Sequence, residues 1–274
     1  MTTHSQIKKR IAFLGAGNMA EALISGLTGS RLVPAKSILA SDISRERLAY
    51  IKKKYRVAPA TDNAAAVQKS DIIFLAIKPQ QMESVLTGLA GAVKPEQLYI
   101  SIAAGITTTF IEKYLPSGTA VVRAMPNTPA LVGAGAIGLC GGKWARKNDI
   151  KTALALFSSV GMALELPEKL LNAVTAVSGS GPAYVFYLAE AMAQAGEELG
   201  LPKEVAEKLA RQTVFGAGTM LAKLPETAAE LRRRVTSPNG TTEAALKYLE
   251  KKNFLPVVGQ AIKQAHKRAD ELTR

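Results

Sequence analysis

The chain is 274 residues long and carries 35 Lys and Arg against 22 Asp and Glu, a formal charge of +13. A composition of 47% hydrophobic and 21% charged residues excludes intrinsic disorder and suits one or two globular domains. A single cysteine excludes a disulfide framework, and two histidines near opposite ends (His4 and His266) argue against a His-dependent triad or a zinc site.

No apolar run approaches the roughly 20 residues that cross a bilayer. The opening ten residues run straight into a strand pattern instead of a secretory signal, so a cytoplasmic address is expected. The positive balance suits either nucleic acid or a small anion. Its cations are scattered, and the tightest runs, 52–54 and 232–234, read as solvated helix faces. The expected partner is therefore a small anionic molecule, with neither nucleic acid nor a membrane.

In chain order, the apolar run 11–14 reads as a strand and 18–27 as a helix. Residues 37–41 read as a second strand and 45–55 as a polar-faced helix. The continuous apolar run 72–77 is a strand covered on both faces, with 80–88 as its crossover helix. Residues 99–103, 120–125 and 136–139 add strands, and the alternation implies a parallel sheet. After about Leu166 the strands stop, and 170–177, 182–199, 203–221, 227–235, 241–252 and 257–272 read helical. The expected fold is an α/β Rossmann-like nucleotide-binding domain, 1–165, followed by an all-α dimerisation domain, 166–274.

The helix from Pro182 is apolar all round: Tyr184, Val185, Phe186, Tyr187, Leu188 and Met192 encircle its axis. Such a helix must be buried. A helical tail of about 100 residues makes a thin core on its own. Burial against a second subunit is therefore expected, with packing on the first domain as the alternative.

Gly15-Ala16-Gly17-Asn18-Met19-Ala20 reads G-x-G-x-x-A between a strand and a helix. The first glycine permits the turn and the second lets a pyrophosphate approach the backbone. The helix N-terminus then supplies N–H donors, which points to a dinucleotide. Asp42 ends the second strand at the usual interval and suits a ribose 2′-hydroxyl, hence NAD(H). Ser41, Ser44, Arg45 and Arg47 stand at the same place and suit a 2′-phosphate, hence NADP(H), although both arginines are also ordinary first-turn residues.

Two further segments, Ser178-Gly179-Ser180-Gly181-Pro182 and Ser237-Pro238-Asn239-Gly240-Thr241-Thr242-Glu243, put hydroxyls and unpaired N–H groups at helix starts. Each is either an anion site or a simple cap. Two of them together favour an anionic substrate.

With Ala76-Ile77-Lys78-Pro79, Ser101-Ile102-Ala103-Ala104-Gly105 and Met125-Pro126-Asn127-Thr128-Pro129-Ala130, these segments follow the order found in pyrroline-5-carboxylate reductases, which the chain resembles from 11 to 272. The resemblance implies reduction of 1-pyrroline-5-carboxylate to L-proline by NADPH or NADH, the last step of proline biosynthesis, in a homodimer or larger oligomer. By position it implies that Gly15, Ala16, Gly17, Asn18 and Met19 cradle the pyrophosphate, with Ser41 and Asp42 at the adenosine ribose, where the residues themselves add Arg45 as a candidate contact for a 2′-phosphate. Asn63, Ala76, Ile77, Lys78 and Pro79 would line the cofactor, and Ile102, Ala103 and Ala104 the nicotinamide side. Glu168, Thr241 and Thr242 would meet the substrate, the Thr242 hydroxyl at the ring nitrogen as the catalytic contact. The chain departs from the family pattern at Asn239, where a glycine is usual, and at Arg232-Arg233-Arg234, where an acidic residue is lost. Asparagine tolerates left-handed backbone, so the loop keeps its shape. The alternatives are another imine or β-hydroxy acid reductase of this architecture, and a non-enzymatic dinucleotide sensor.

Overall fold

A computed structural model describes residues 6–274, so His4 lies outside the described residues. Four short strands, β1 (Ile11–Leu14), β2 (Ile38–Ser41), β4 (Ile72–Leu75) and β5 (Leu98–Ser101), form the centre of an eight-stranded sheet. Every residue of β1 and β4 is fully buried because helices cover both faces, which is why these strands read as unbroken apolar runs. Alternation sends Ile11 and Phe13 to one face and Ala12 and Leu14 to the other, each into its own core. Phe13 stacks on Phe74 at 4.6 Å, and Phe157 meets Phe74 edge-on at 6.0 Å.

The crossovers on this half are α1 (Asn18–Gly29), α2 (Arg45–Tyr55), α3 (Asn63–Gln68), α4 (Met82–Thr87) and α5 (Thr108–Glu112), with a two-residue edge strand β3 (Ala58–Pro59) before α3. Beyond them come β6 (Ala120–Met125), β7 (Gly135–Gly141), α6 (Lys147–Phe157) and β8 (Gly161–Glu165). The strand order is β3-β2-β1-β4-β5-β6-β7-β8.

The all-parallel expectation needs one correction: β7 runs antiparallel to β6, pairing Val122 with Gly141 and Met125 with Gly138. The link between them holds only one short turn, Thr128–Val132, too little chain for a crossover helix, so the strand returns beside its predecessor. Helix α6 then restores a parallel step to β8.

After β8 come α7 (Leu171–Val174), a π-helical turn (Thr175–Gly179) and then α8 (Gly181–Glu198), α9 (Lys203–Lys223), α10 (Ala228–Arg234), α11 (Thr241–Lys251) and α12 (Phe254–Leu272). By compactness the chain divides into a sheet unit, reaching to Ser180 and including Ala265–Arg274, and a helical unit, Gly181–Gln264. By this measure residues 166–180 pack with the sheet unit. The physical reason is close packing: a Cβ on Gly138 would come within 2.9 Å of Val174, and one on Gly179 within 2.8 Å of Met125. The last residues join the same unit through Arg274 N–H donating to the Gly105 carbonyl (2.7 Å) and Thr107 donating to the Arg274 carbonyl.

In the helical unit, α8 and α9 approach through small residues. Ala193, Ala206 and Ala210 are buried, and a Cβ on Gly196 would sit 3.0 Å from Ala206. The large apolar side chains of α8 point elsewhere. Phe186 is 66% and Tyr187 75% exposed, so the expected burial of this helix is not achieved within the helical unit itself. Among the described residues no helix is long and apolar enough to cross a membrane.

Candidate active site

At the carboxyl end of β1 the chain turns at Gly15, whose φ of +94° suits only glycine. A Cβ there would lie 2.4 Å from the Ala76 carbonyl oxygen, since β4 ends immediately alongside. Gly17 precedes α1 with no side-chain cap, so the first-turn N–H groups lack intrahelical acceptors. A Cβ on Gly17 would meet nothing within 4 Å. Open space facing uncapped N–H donors is the arrangement a dinucleotide pyrophosphate needs, and the residues present fit that group.

The space continues as a cavity of about 280 Å³ that brings together Gly15, Gly17, Ser41, Asp42, Asn63, Ala76, Ile77 and Lys78. Ala16, between the two lining glycines, is fully buried and does not itself line the cavity. Pro79 follows Lys78 at the first position of a short 3₁₀ turn, and Asn18 and Met19 open α1. Ile102, Ala103 and Ala104 leave β5 at the same carboxyl edge of the sheet, Ala103 buried and Ala104 exposed. The Ile102 N–H donates to the Leu75 carbonyl at 3.2 Å.

Several polar groups here are already occupied. Asp42 accepts the Ala16 N–H (2.7 Å) on one oxygen and the Ser44 N–H (2.8 Å) on the other. Ser41 is 2% exposed and donates its hydroxyl to Asn63 Oδ1 at 2.5 Å, so it braces Asn63 in the cavity lining. Arg47 donates Nε–H to the Ala16 carbonyl at 2.5 Å and pairs with Glu21. Arg45 is exposed and makes no hydrogen bond or ion pair among the described residues. Two arginines that the sequence leaves equal are thereby separated.

The sequence reading missed three residues that also line the cavity: Ile43, which is 92% exposed, Gln81 and Val85. The signal for Ile43 was one apolar residue in the polar run Ser41-Asp42-Ile43-Ser44-Arg45.

The expected substrate residues are distributed differently. Glu168 accepts the Thr108 N–H (2.8 Å) and hydroxyl (2.7 Å), and Arg123 Nη1 at 3.3 Å, so both carboxylate oxygens serve the protein. Arg123 is 4% exposed and also reaches Asn172 Oδ1 at 3.3 Å. Neighbouring burial pushes the Cys140 thiol up to about 12, so it is no nucleophile at neutral pH. Asn127 ties the two most distinctive segments together: it donates to the Ser178 carbonyl at 2.9 Å and accepts the Ala136 N–H at 2.9 Å.

Thr241 and Thr242 are the first two residues of α11, in the helical unit. The preceding residue, Gly240, has no side-chain cap, and neither threonine hydroxyl makes a hydrogen bond among the described residues. Asn239 stands at φ +57°, the left-handed backbone expected of this loop position, and its N–H donates to Glu243 at 3.0 Å. Lys247 and that N–H hold the Glu243 carboxyl below the usual carboxylate range.

Two family models match the chain, one in each half. Residues 10–105 match a family described as "NADP oxidoreductase coenzyme F420-dependent", and 168–272 match "Pyrroline-5-carboxylate reductase dimerisation". A pyrroline-5-carboxylate reductase of Pseudomonas aeruginosa is 49% identical over 264 residues, 96% of each chain. One from Methanosarcina acetivorans is 42% identical over 96% of this chain and 98% of its own. Among solved structures, a pyrroline-5-carboxylate reductase from Coxiella burnetii superposes with a TM-score of 0.92 at 38% identity, covering 98% of this chain and 100% of that one. A Plasmodium falciparum pyrroline carboxylate reductase with NADP bound gives 0.87 at 30% identity, with the same coverage. Matched over nearly its whole length at this identity, the chain belongs to the pyrroline-5-carboxylate reductase family.

Proposed function

We propose that the chain reduces 1-pyrroline-5-carboxylate to L-proline with NADPH, as a cytoplasmic homodimer or larger oligomer. The observation that carries the reading is the open, uncapped cradle at Gly15–Gly17 in a chain that aligns end to end with reductases of that name. When bound, the nicotinamide supplies a hydride to the imine carbon, and one proton on the ring nitrogen completes the amine. A cyclic imine carries its own basic nitrogen, so the protein needs orientation more than a strong acid.

In this reading Gly15 to Met19 hold the pyrophosphate, and Asn63, Ala76, Ile77, Lys78 and Pro79 line the dinucleotide. Ile102, Ala103 and Ala104 bound the nicotinamide side. The Thr241 and Thr242 N–H groups hold the substrate carboxylate, and the Thr242 hydroxyl meets the ring nitrogen. The uncommitted hydroxyl at an uncapped helix start supports that role over simple capping. Glu168 stands near the ring in this reading and acts through Thr108 and Arg123, to which its carboxylate is bonded. The functional boundary stays at 165–166, beside the start of the dimerisation match at Glu168.

NADPH is favoured over NADH because Asp42 already serves two backbone N–H groups, whereas Arg45 is uncommitted. The exposed α8 face, with Phe186 and Tyr187, supports a second subunit as its cover. The test is oxidation of NADPH on adding the imine, with L-proline identified as the product. Tight NADPH binding without turnover would overturn the reading in favour of a sensor. Turnover of another imine or a β-hydroxy acid in its place would point to a different substrate.

A further inference from the structure

Glu21 stands in the first turn of α1 and is only 8% exposed. One oxygen accepts from Arg47 Nη2, and the other accepts from Tyr50 OH (3.0 Å), Lys54 Nζ (3.0 Å) and Tyr55 OH (2.8 Å). A carboxylate one turn from an anion cradle opposes the anion unless its charge is matched. Its donors match it, and they hold the Glu21 carboxyl down to about 2 despite its burial. Lys54 and the two phenols would suffice for neutralisation alone.

Arg47 does something further. Its Nε–H donates to the Ala16 carbonyl at 2.5 Å, while the Ala16 N–H donates to Asp42 at 2.7 Å. Ala16 is fully buried and lies between the two cradle glycines, the most permissive residues of the loop. Gripping both polar groups of Ala16 therefore fixes a stretch that would otherwise be free to turn.

We infer that Glu21 and Arg47 are a positioning pair for the dinucleotide: Glu21 aims the guanidinium, and Arg47 with Asp42 locks Ala16 so that the cradle N–H groups are preset for the pyrophosphate. The inference rests on the dinucleotide-dependent reading above. It also withholds Arg47 from the ribose and leaves the discrimination of a 2′-phosphate to Arg45. Because the pyrophosphate is common to both nucleotides, the pair serves NADPH and NADH alike.

The experiment uses the full-length protein. It reads dinucleotide affinity by nucleotide fluorescence without substrate, and amide hydrogen exchange over residues 15–19 without nucleotide. Arg47→Ala and Arg47→Lys should each weaken NADPH and NADH by the same factor, about tenfold, the equivalent of one hydrogen bond to a charged group. Lysine cannot bridge Glu21 and the Ala16 carbonyl together, so it should not rescue. Exchange at the cradle should quicken in both variants. Glu21→Gln, which keeps shape and most partners, should shift both readouts in the same direction by less.

Weakening confined to NADPH would overturn the inference by making Arg47 a phosphate ligand. A lower melting temperature with unchanged affinity and exchange would reduce the pair to structural support. A wild-type protein that binds nucleotide yet does not reduce the imine would reject the functional reading and leave this inference standing.

Discussion

The glycine loop of the sheet unit and the start of α11 in the helical unit treat their polar side chains in opposite ways. Around the glycine loop, Asp42, Ser41, Asn63, Arg47 and Glu21 are bonded to one another or to backbone, and the loop is held before any ligand arrives. At the start of α11, the Thr241 and Thr242 hydroxyls make no hydrogen bond among the described residues. The apolar residues follow the same contrast. Strands β1 and β4 bury every side chain, while α8 turns Phe186 and Tyr187 outward. A site whose groups are spent internally is preorganised, and one whose groups are unspent waits for a ligand or a second subunit.

The largest expected effect comes from breaking that second half. Phe186→Glu with Tyr187→Glu should give a monomer in light scattering and remove nearly all turnover, with nucleotide binding retained. A fully active monomer would show that the exposed face has no assembly role.

Next is Gly15→Ala, which forces a Cβ against the Ala76 carbonyl at a positive φ. It should cost about 3 kcal/mol or more in denaturant unfolding and abolish dinucleotide binding. Smaller again is Arg45→Ala. It should weaken NADPH by about 1.5–3 kcal/mol and leave NADH nearly unchanged in direct titration. Equal effects would return the choice of nucleotide to Asp42.

The smallest concerns acid stability. Glu21 has its folded pKa lowered from 4.5 to about 2, so the unfolded chain takes up that proton first. The contribution is complete above pH 4.5 and is lost as pH falls toward 2. Glu21→Gln should flatten the loss of stability across that window, as followed by denaturant melts at stepped pH.

Much of the sheet unit was legible because local rules and the fold agree there. Helix α2 begins and ends where its polar run does, with Ser44 capping the Arg47 N–H, and the G-x-G-x-x-A loop falls at the β1 end as its spacing requires. The stretch 140–166 was passed over, although Ile150, Ala153 and Phe157 mark a buried face at helical spacing for α6. The reversal at β7 depends on how little chain follows β6, which apolar alternation does not encode.

The roles of single polar residues were hardest to read, because their partners are remote. Glu168 meets Thr108 sixty positions away, and Arg47 meets Glu21 twenty-six away. The positive φ at Asn239 could be anticipated, since it needs only the residue's own backbone preference.

The contrast between spent and unspent groups is tested most directly at Thr242. Thr242→Ala should slow single-turnover hydride transfer by about ten- to a hundredfold, the equivalent of about 1–3 kcal/mol for one unsatisfied buried partner. Thr242→Ser should keep most of the rate, and NADPH affinity and melting temperature should stay at wild-type values, because the hydroxyl caps nothing. A Thr242→Ala protein with wild-type rate and a melting temperature lowered by the loss of a cap would contradict the account.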